Sequence, residues 1–420
     1  MSGQDPAARF AEVAAAHERC FWLDGGGSRP WSGQRSLIGW LDEDDVSLTY
    51  DAATRQVIRH RGGTSAVVGD DIFAVLEAAM AGDDEGVHWV GYFGYASRPD
   101  LPALVDAADP APTAVWMRTR HVEVFDHPHA DATARSGPPA PALHGDADTA
   151  VPGEYAAAFA RVTEHLHAGN SYEVNLTYRL ARDADLDPVT AYLRLRQLNP
   201  APYAGFLQHH GTWLLSSSPE RYATIDRRRT IETKPIKGTT PRGATPVDDE
   251  EQRRHLATDA KFRAENLMIV DLLRNDLAMV CVPGTVEVPV LMDVESYPSV
   301  HQLVSTVRGR LRDDVGTVAA LRELFPAGSM TGAPKRRTME IIAEVESSAR
   351  GVYAGAFGWI CGDGRADLGV VIRSLVGGTG PEGRRAWRLG TGGGITVASD
   401  VAEEYAESRW KAERLLALDD

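Results

Sequence analysis

Cysteine is scarce. Cys20, Cys281 and Cys361 are the only three in 420 residues. An odd number so widely spaced makes neither a disulfide framework nor a zinc site. All three read as buried small apolar residues in a reducing compartment. Long apolar runs are also missing: no stretch approaches the roughly 18 uninterrupted residues of a membrane span. The opening MSGQDPAARFAEVAAAHERC has no apolar core, so no secretory leader is expected and a cytoplasmic location is. Positive charge is short, with 44 Lys and Arg against 59 Asp and Glu, a net charge of −15. A chain without a basic excess is not expected to bind nucleic acid. Any small anion it binds must be met by a local pocket of a few cations and backbone N–H groups. No internal repeat occurs. The glycine-rich run GTGGGI (Gly390–Ile395) is not followed directly by the helix that a dinucleotide fingerprint needs.

What is present is ordinary for a globular chain: 43% hydrophobic and 25% charged residues, and length enough to bury a large core. The clearest break is 126–153, DHPHADATARSGPPAPALHGDADTAVPG, dense in Pro, Ala, Gly and Asp without an apolar period. It reads as an exposed linker loop between an N-terminal segment, 1–125, and a catalytic region, 154–420. Before it, Val87–Tyr95 and Thr113–Phe125 carry the aromatic and β-branched residues of strands. After it, Tyr155, Phe159, Val162 and Leu166 mark a helix over Glu154–Ala168. Strands are expected at Tyr172–Leu180, Tyr203–Gln208, Thr212–Ser216, Tyr222–Ile225, Thr230–Glu232, Gly355–Cys361, Leu368–Leu375 and Trp387–Thr391. Helices are expected at Asp248–Leu273, Thr331–Glu346 and Ala402–Leu418, and a turn-rich loop at Val376–Arg385. Adjacent strands without intervening helices argue for antiparallel sheets packed with helices over a βαβ repeat.

Several residues carry chemistry, each with a plain structural alternative. Glu265 lies off the centre of the stripe Leu267, Val270, Leu273 and Leu277, as a solvated helix carboxylate also would. Glu404, Glu407 and Lys411 share one helix face. They could be a surface ion pair or part of a carboxylate site for Mg2+, which takes oxygen ligands and keeps waters. The glycines of GTGGGI could bring backbone amides to an anion or simply turn the chain. In GSMTGAPK, Ser329 or Thr331 could cap a helix, and the amides there could also meet a carboxylate. KPIKGTTPR sets Lys234 and Lys237 in a constrained loop. Surface exposure is their default, and nucleophilic character requires burial or a cationic neighbour that lowers the pKa. His301 in YPSVHQLVS is more readily a structural histidine than a catalytic one.

The order of these segments is far more specific than any one of them. SSSPERY, ETKPIKGTTPRG, AENLMIVDLLRNDL, SVHQLVS, FPAGSMTGAPK, GAFGW, VVIRSL, GTGGGI and EYAESRWKA, in that order, resemble the chorismate-utilising enzymes, among them the anthranilate, aminodeoxychorismate, isochorismate and salicylate synthases. FWLDG (Phe21–Gly25) and GYFGY (Gly91–Tyr95) extend the resemblance toward the N-terminus. It implies an α/β fold of α+β type, resembling anthranilate synthase component I: one large domain of two stacked, mostly antiparallel sheets flanked by helices, with the N-terminal segment supplying strands. It implies Mg2+ as cofactor, held by Glu265 and Glu407 with Glu404 beside them. Arg373, Lys411 and the amides of Gly392 and Gly394 would bind the enolpyruvyl carboxylate of chorismate, and Thr331 would contact its carboxylate region. Glu220 and His301 would flank the C4 hydroxyl as general acid and positioning group.

Two positions separate the branches of the family. The water-adding branches carry a lysine on the SYEVNLTYR strand where this chain has Glu173, so those branches are not expected. Where anthranilate synthases read PIAGT, this chain reads PIKGT, as aminodeoxychorismate synthases do. Lys237 is therefore the implied nucleophile, and amination of chorismate, feeding p-aminobenzoate and folate or a secondary metabolite, the implied activity. Anthranilate synthase component I is the runner-up, and a non-catalytic chorismate- or tryptophan-binding regulatory subunit the alternative of another class. No glutaminase nucleophile is apparent, so ammonia is expected from a separate glutamine amidotransferase subunit. No fused lyase domain is expected after the Glu407 helix. Feedback by tryptophan is not expected, because Gly25–Gly27 and SRPWSG depart from the usual serine-bearing pattern.

Overall fold

A computed structural model describes residues 5–25, 35–127, 150–183, 186–297, 300–379, 385–416 and 418. In chain order the elements are α1 (Pro6–Ala16), β1 (Arg19–Asp24), β2 (Arg35–Trp40), β3 (Ser47–Asp51), β4 (Gln56–Arg61), β5 (Thr64–Gly69), α2 (Ile72–Met80), β6 (His88–Phe93), β7 (Ala114–Thr119) and β8 (Val122–Asp126). Then follow α3 (Gly153–His167), β9 (Glu173–Asp183), α4 (Pro188–Leu198), β10 (Tyr203–His209), β11 (Thr212–Ser218), β12 (Arg221–Ile225), β13 (Thr230–Lys234), β14 (Ile236–Pro241), α5 (Pro246–Thr258), α6 (Ala260–Val280), β15 (Glu287–Ser296) and β16 (Val300–Arg310). The last are α7 (Thr317–Leu324), β17 (Gly332–Ala333), α8 (Lys335–Val345), β18 (Ala356–Cys361), β19 (Ala366–Val370), β20 (Ser374–Thr379), β21 (Arg385–Ile395) and α9 (Val401–Leu416).

Period two in the strands explains the layers. In β6, Trp89 and Phe93 join the core under α2, α6 and α7, while Val90 and Tyr92 join a second core with Phe21, Leu207 and Leu214 of the other sheet. A strand buried on both faces reads as a near-continuous apolar run. One sheet has nine strands in the order β17-β9-β21-β20-β11-β10-β1-β2-β8. The other has twelve, β14-β16-β13-β12-β19-β18-β6-β7-β3-β4-β5 with β15 alongside β16. The two stack face to face through that shared core. Helices α1, α4 and α9 cover the far side of the nine-stranded sheet with Phe10, Tyr192 and Leu415. The fold is therefore the expected one, two antiparallel sheets between helices, and β1–β8 are divided between both sheets.

Several expected elements prove to be two. Thr113–Phe125, read as one strand, is β7 in the twelve-stranded sheet and β8 in the nine-stranded one. Leu368–Leu375 likewise splits into β19 and β20, with Arg373 at φ 48° between them. Asp248–Leu273 breaks into α5 and α6 at Asp259, whose carboxylate accepts from the Phe262 N–H at 3.0 Å and caps the second helix. The helix expected from Thr331 begins at Lys335, and its N-cap, Pro334, gives no side-chain cap; Gly332–Ala333 pairs with β9 instead. KPIKGT, expected as a loop, lies on β13 and β14, both paired with β16. GTGGGI is the second half of β21, paired with β9. The linker expected at 126–153 is entered from β8 and left at α3; its residues 128–149 lie outside the described residues, as do 26–34 of the SRPWSG region and 380–384 of the expected loop after Val376. The three cysteines are free and buried.

Candidate active site

The chain crosses from the nine-stranded to the twelve-stranded sheet between β11 and β12, at Pro219 and Glu220, and back between β19 and β20, at Ile372 and Arg373. A side chain at a crossing belongs to neither sheet face and is free to point into the space between the sheet ends. There a cavity of about 140 Å3 is lined by Glu220, Lys237, Glu265, Arg373, Gly392, Gly394, Glu404, Glu407 and Lys411. These residues, scattered over nearly two hundred positions, are the group that motif order singled out, less His301 and Thr331.

Lys237 is placed by a bulge. Between Ile236↔Val304 and Thr239↔Gln302 the register of β14 on β16 shifts, and Gly238 takes φ 85°. A bulge bends its strand and re-aims the side chain beside it. The Lys237 side chain is 10% exposed, and its Nζ donates to Glu173 Oε1, whose side chain is 1% exposed. Burial pulls the ammonium down, but the carboxylates of Glu173, Glu265 and Glu220 outweigh it and hold its pKa above the ordinary lysine value. The expectation of a lowered pKa is thus reversed in this state: the amine is desolvated and charged. Lys234 is engaged by Glu295 at 2.5 Å and does not line the cavity.

Glu220 is buried, and its Oε1 accepts from Ser329 Oγ at 2.7 Å. Burial raises its pKa to about 7 against the opposing pull of Ser329 and Lys237. Glu265 is likewise raised to about 7 by burial, with Glu173 and Glu404 adding to the rise, and its Oε1 is buried without a hydrogen-bond partner. Glu404 Oε1 accepts from Lys261 Nζ at 3.0 Å and Ser399 Oγ at 2.7 Å. Glu407 pairs with Lys411 at 2.8 Å, and that lysine holds its pKa down. Lys411 Nζ also donates to the Gly392 carbonyl at 3.1 Å. Because a strand residue turns its N–H and C=O to one side, and residues two apart share that side, the Gly392 and Gly394 amides face the same edge. A Cβ at Gly394 would stand 2.1 Å from Glu173 Oε1 and 3.1 Å from Lys237 Nζ, so only glycine leaves room for that ion pair.

Two expected site residues are elsewhere. His301 is on β16, whose side chains alternate; its Nδ1 meets Ser296 Oγ at 2.9 Å and its Nε2 meets Asp249 at 3.2 Å, while the next residue, Gln302, faces the cavity. A displacement of one residue on a strand exchanges faces, so among the described residues Gln302, and not His301, lines the cavity. Thr331 is fully buried with Oγ1 3.3 Å from the Ala327 and Gly328 carbonyls, and Ser329 and Met330 line the cavity in its place. Residues that sequence reasoning left out of the site are Lys261, Gln302, Tyr353 and Asn175, on elements that chain order alone does not bring together, and Glu173, noted only as a residue that excludes water addition.

The carboxylates suit a hard cation in donor type, and the bare Glu265 Oε1 is an oxygen that lacks a partner. Among the described residues, the group of His, Cys, Asp and Glu whose ligand atoms lie within 4.8 Å of one another is a different one, Asp42, Asp45 and His121 on the exterior. In the cavity, Lys261 and Lys411 each pair with one oxygen, Oε1, of Glu404 and of Glu407.

Two stacked antiparallel sheets of this kind form a fold already known in solved structures. The anthranilate synthase component I of Streptococcus pneumoniae superposes with a TM-score of 0.73 over 92% of this chain and 93% of its own, at 22% identity. The chain belongs to the chorismate binding enzyme family, whose model matches residues 19–417. An aminodeoxychorismate synthase of Streptomyces pristinaespiralis is 37% identical over 98% of this chain and 63% of its own length. An anthranilate synthase component 1 of Streptomyces coelicolor is 37% identical over 78% of this chain and 71% of its own. The chain thus spans about 63% of the first of these relatives. Among the described residues no helix is long and apolar enough to cross a membrane.

Proposed function

We propose that this chain converts chorismate and ammonia to 4-amino-4-deoxychorismate. The observation that carries the reading is Lys237, an amine buried in the same cleft as an acid, Glu220, that keeps its proton up to about pH 7. As the free amine, Nζ bonds to C2 of the ring, the two ring double bonds shift, and the C4–O bond breaks. Glu220 gives its proton to the departing hydroxyl, which leaves as water. Ammonia then bonds to C4, the double bonds return, and the C2–Nζ bond breaks with its electrons on nitrogen. Two displacements retain the geometry at C4, and the bond to lysine keeps water from C2. Arg373, Lys411 and the amides of Gly392 and Gly394 take the enolpyruvyl carboxylate, and Gln302, in the place expected for His301, faces the reacting ring. Glu265 and Glu407, with Glu404 beside them, would hold Mg2+, which would offset the substrate's carboxylate charge and favour departure of the hydroxyl. Ammonia comes from a separate glutamine amidotransferase subunit, in keeping with the word component in the name of the anthranilate synthase relative.

The test is incubation with chorismate, Mg2+ and ammonium, followed by mass analysis. The expected product is 4-amino-4-deoxychorismate, converted to p-aminobenzoate only when an aromatising lyase is added. Fluorescent anthranilate without added lyase would move the chain to the runner-up activity. Lys237→Ala should lose at least 100-fold in amination, and a variant that aminates at the wild-type rate refutes the nucleophile.

A further inference from the structure

If Lys237 is the nucleophile, as the preceding reading holds, it must first lose a proton. In the ion pair with Glu173 the amine is charged, and a protonated amine has no lone pair to offer C2. Charged and titratable groups face it from each neighbouring element: Glu173 from β9, Glu265 from α6 and Glu220 from the β11–β12 crossing, with Lys261 of α6 and Lys411 of α9 in the same cavity. Of the carboxylates, Glu173 is the one within ion-pair reach of Nζ among the described residues. It is nearly inaccessible, and its second oxygen, Oε2, is buried with no hydrogen-bond partner. Its backbone is fixed at the start of β9, where its carbonyl accepts from Ser171 Oγ at 2.8 Å, and the glycine at 394 keeps the space for the pair.

We propose that Glu173 is the proton acceptor that frees the Lys237 amine. One Nζ–H bond breaks, its electron pair stays on nitrogen, and the proton moves to the Glu173 carboxylate, so that a charged pair becomes a neutral one. Substrate filling the cavity removes the water that favours the charged pair and tips this exchange. When ammonia later expels the amine from C2, Glu173 returns the proton and the resting ion pair re-forms. The residue whose identity argues against water addition thus acquires a role of its own in amination.

The experiment measures formation of the Lys237 adduct, chorismate less one water, by rapid quench and intact mass with chorismate and Mg2+ but no ammonia. Glu173→Gln is expected to form it at least 30-fold more slowly than wild type at pH 7.5. The deficit should shrink about tenfold per pH unit as solvent deprotonates the amine instead. Glu173→Asp, which keeps a carboxylate, should retain the wild-type pH profile at a reduced rate, and added formate should restore part of the rate of Glu173→Ala. Absence of a deficit in Glu173→Gln, or a deficit equal at every pH with no rescue by formate or Asp, overturns the inference. Those outcomes leave the nucleophile standing; amination by Lys237→Ala would remove it.

Discussion

Two buried groups of opposite kind, Glu220 and Lys237, are both held in the protonated form. Burial keeps Glu220 an acid to about pH 7, and its carboxylate neighbours keep Lys237 charged. The first is the form the leaving hydroxyl needs. Amination should therefore fall tenfold per pH unit as pH rises above the Glu220 titration, and Glu220→Gln should lose at least 100-fold below pH 7, a deficit that shrinks as pH rises and the wild type loses the same proton. Stability falls in the same direction. A carboxyl raised from its ordinary value is better protonated in the folded state, so between that value and about pH 7 it costs increasing stability as pH rises. Gln cannot ionise and still accepts from Ser329, so Glu220→Gln should melt higher than wild type at pH 8, which calorimetry can check. His301 and Gln302 give a second contrast on neighbouring residues. Gln302→Ala should raise KM or lower kcat, because Gln302 faces the cavity. His301→Asn should leave kinetics within about twofold and lower the melting temperature, because the ring's partners are Ser296 and Asp249. Equal kinetic losses in both would put His301 back in the site.

At the scale of elements, the site exists because strands change sheet. That was the part of the fold hardest to see in the sequence. Thr113–Phe125 and Leu368–Leu375 carry unbroken strand-like patterns, and a chain crossing between two antiparallel sheets keeps both its apolar period and its extended backbone. Nothing local marks Arg373 as the point of departure. The glycines of GTGGGI were visible as a place of close approach but not as half of β21, since what they make room for, Glu173 and Lys237, comes from other elements. Motif order made Lys237, Glu265, Glu404, Glu407 and Arg373 legible together because it carries register information that periodicity lacks. It could not fix His301 against Gln302, because one residue on a strand decides the face. The α5–α6 break was hidden because Asp259 interrupts the helix without Pro or Gly. Asp259→Ala removes the acceptor for the Phe262 N–H, and should cost about 1 kcal/mol in denaturant unfolding. An unchanged midpoint would show that the second helix starts independently of its cap.

For the molecule as a whole, a net charge of −15 sets the terms on which an anionic substrate is bound. The cavity gathers Lys237, Lys261, Arg373 and Lys411, but it also holds Glu404 and Glu407, joined by Glu220 and Glu265 as they ionise near pH 7, so a dianion entering that set meets repulsion as well as attraction. A divalent cation on the carboxylates changes the sign of the local field, so cation and substrate should each favour binding of the other. This can be read without turnover. A ligand that binds only the folded state stabilises it by about 2.7 kcal/mol at a hundred times its Kd, which for a chain of this length is a rise of about 3 °C in Tm. Magnesium should produce that rise in wild type, and chorismate should add to it only when magnesium is present. Glu265→Gln and Glu407→Gln should abolish the cation's effect while melting as cooperatively as wild type. Asp42→Asn controls for the exterior group of Asp42, Asp45 and His121, and should leave the rise intact. If the rise survives in the two cavity variants and disappears in Asp42→Asn, the cation belongs on the exterior, and the cleft must meet its substrate with lysine and arginine alone.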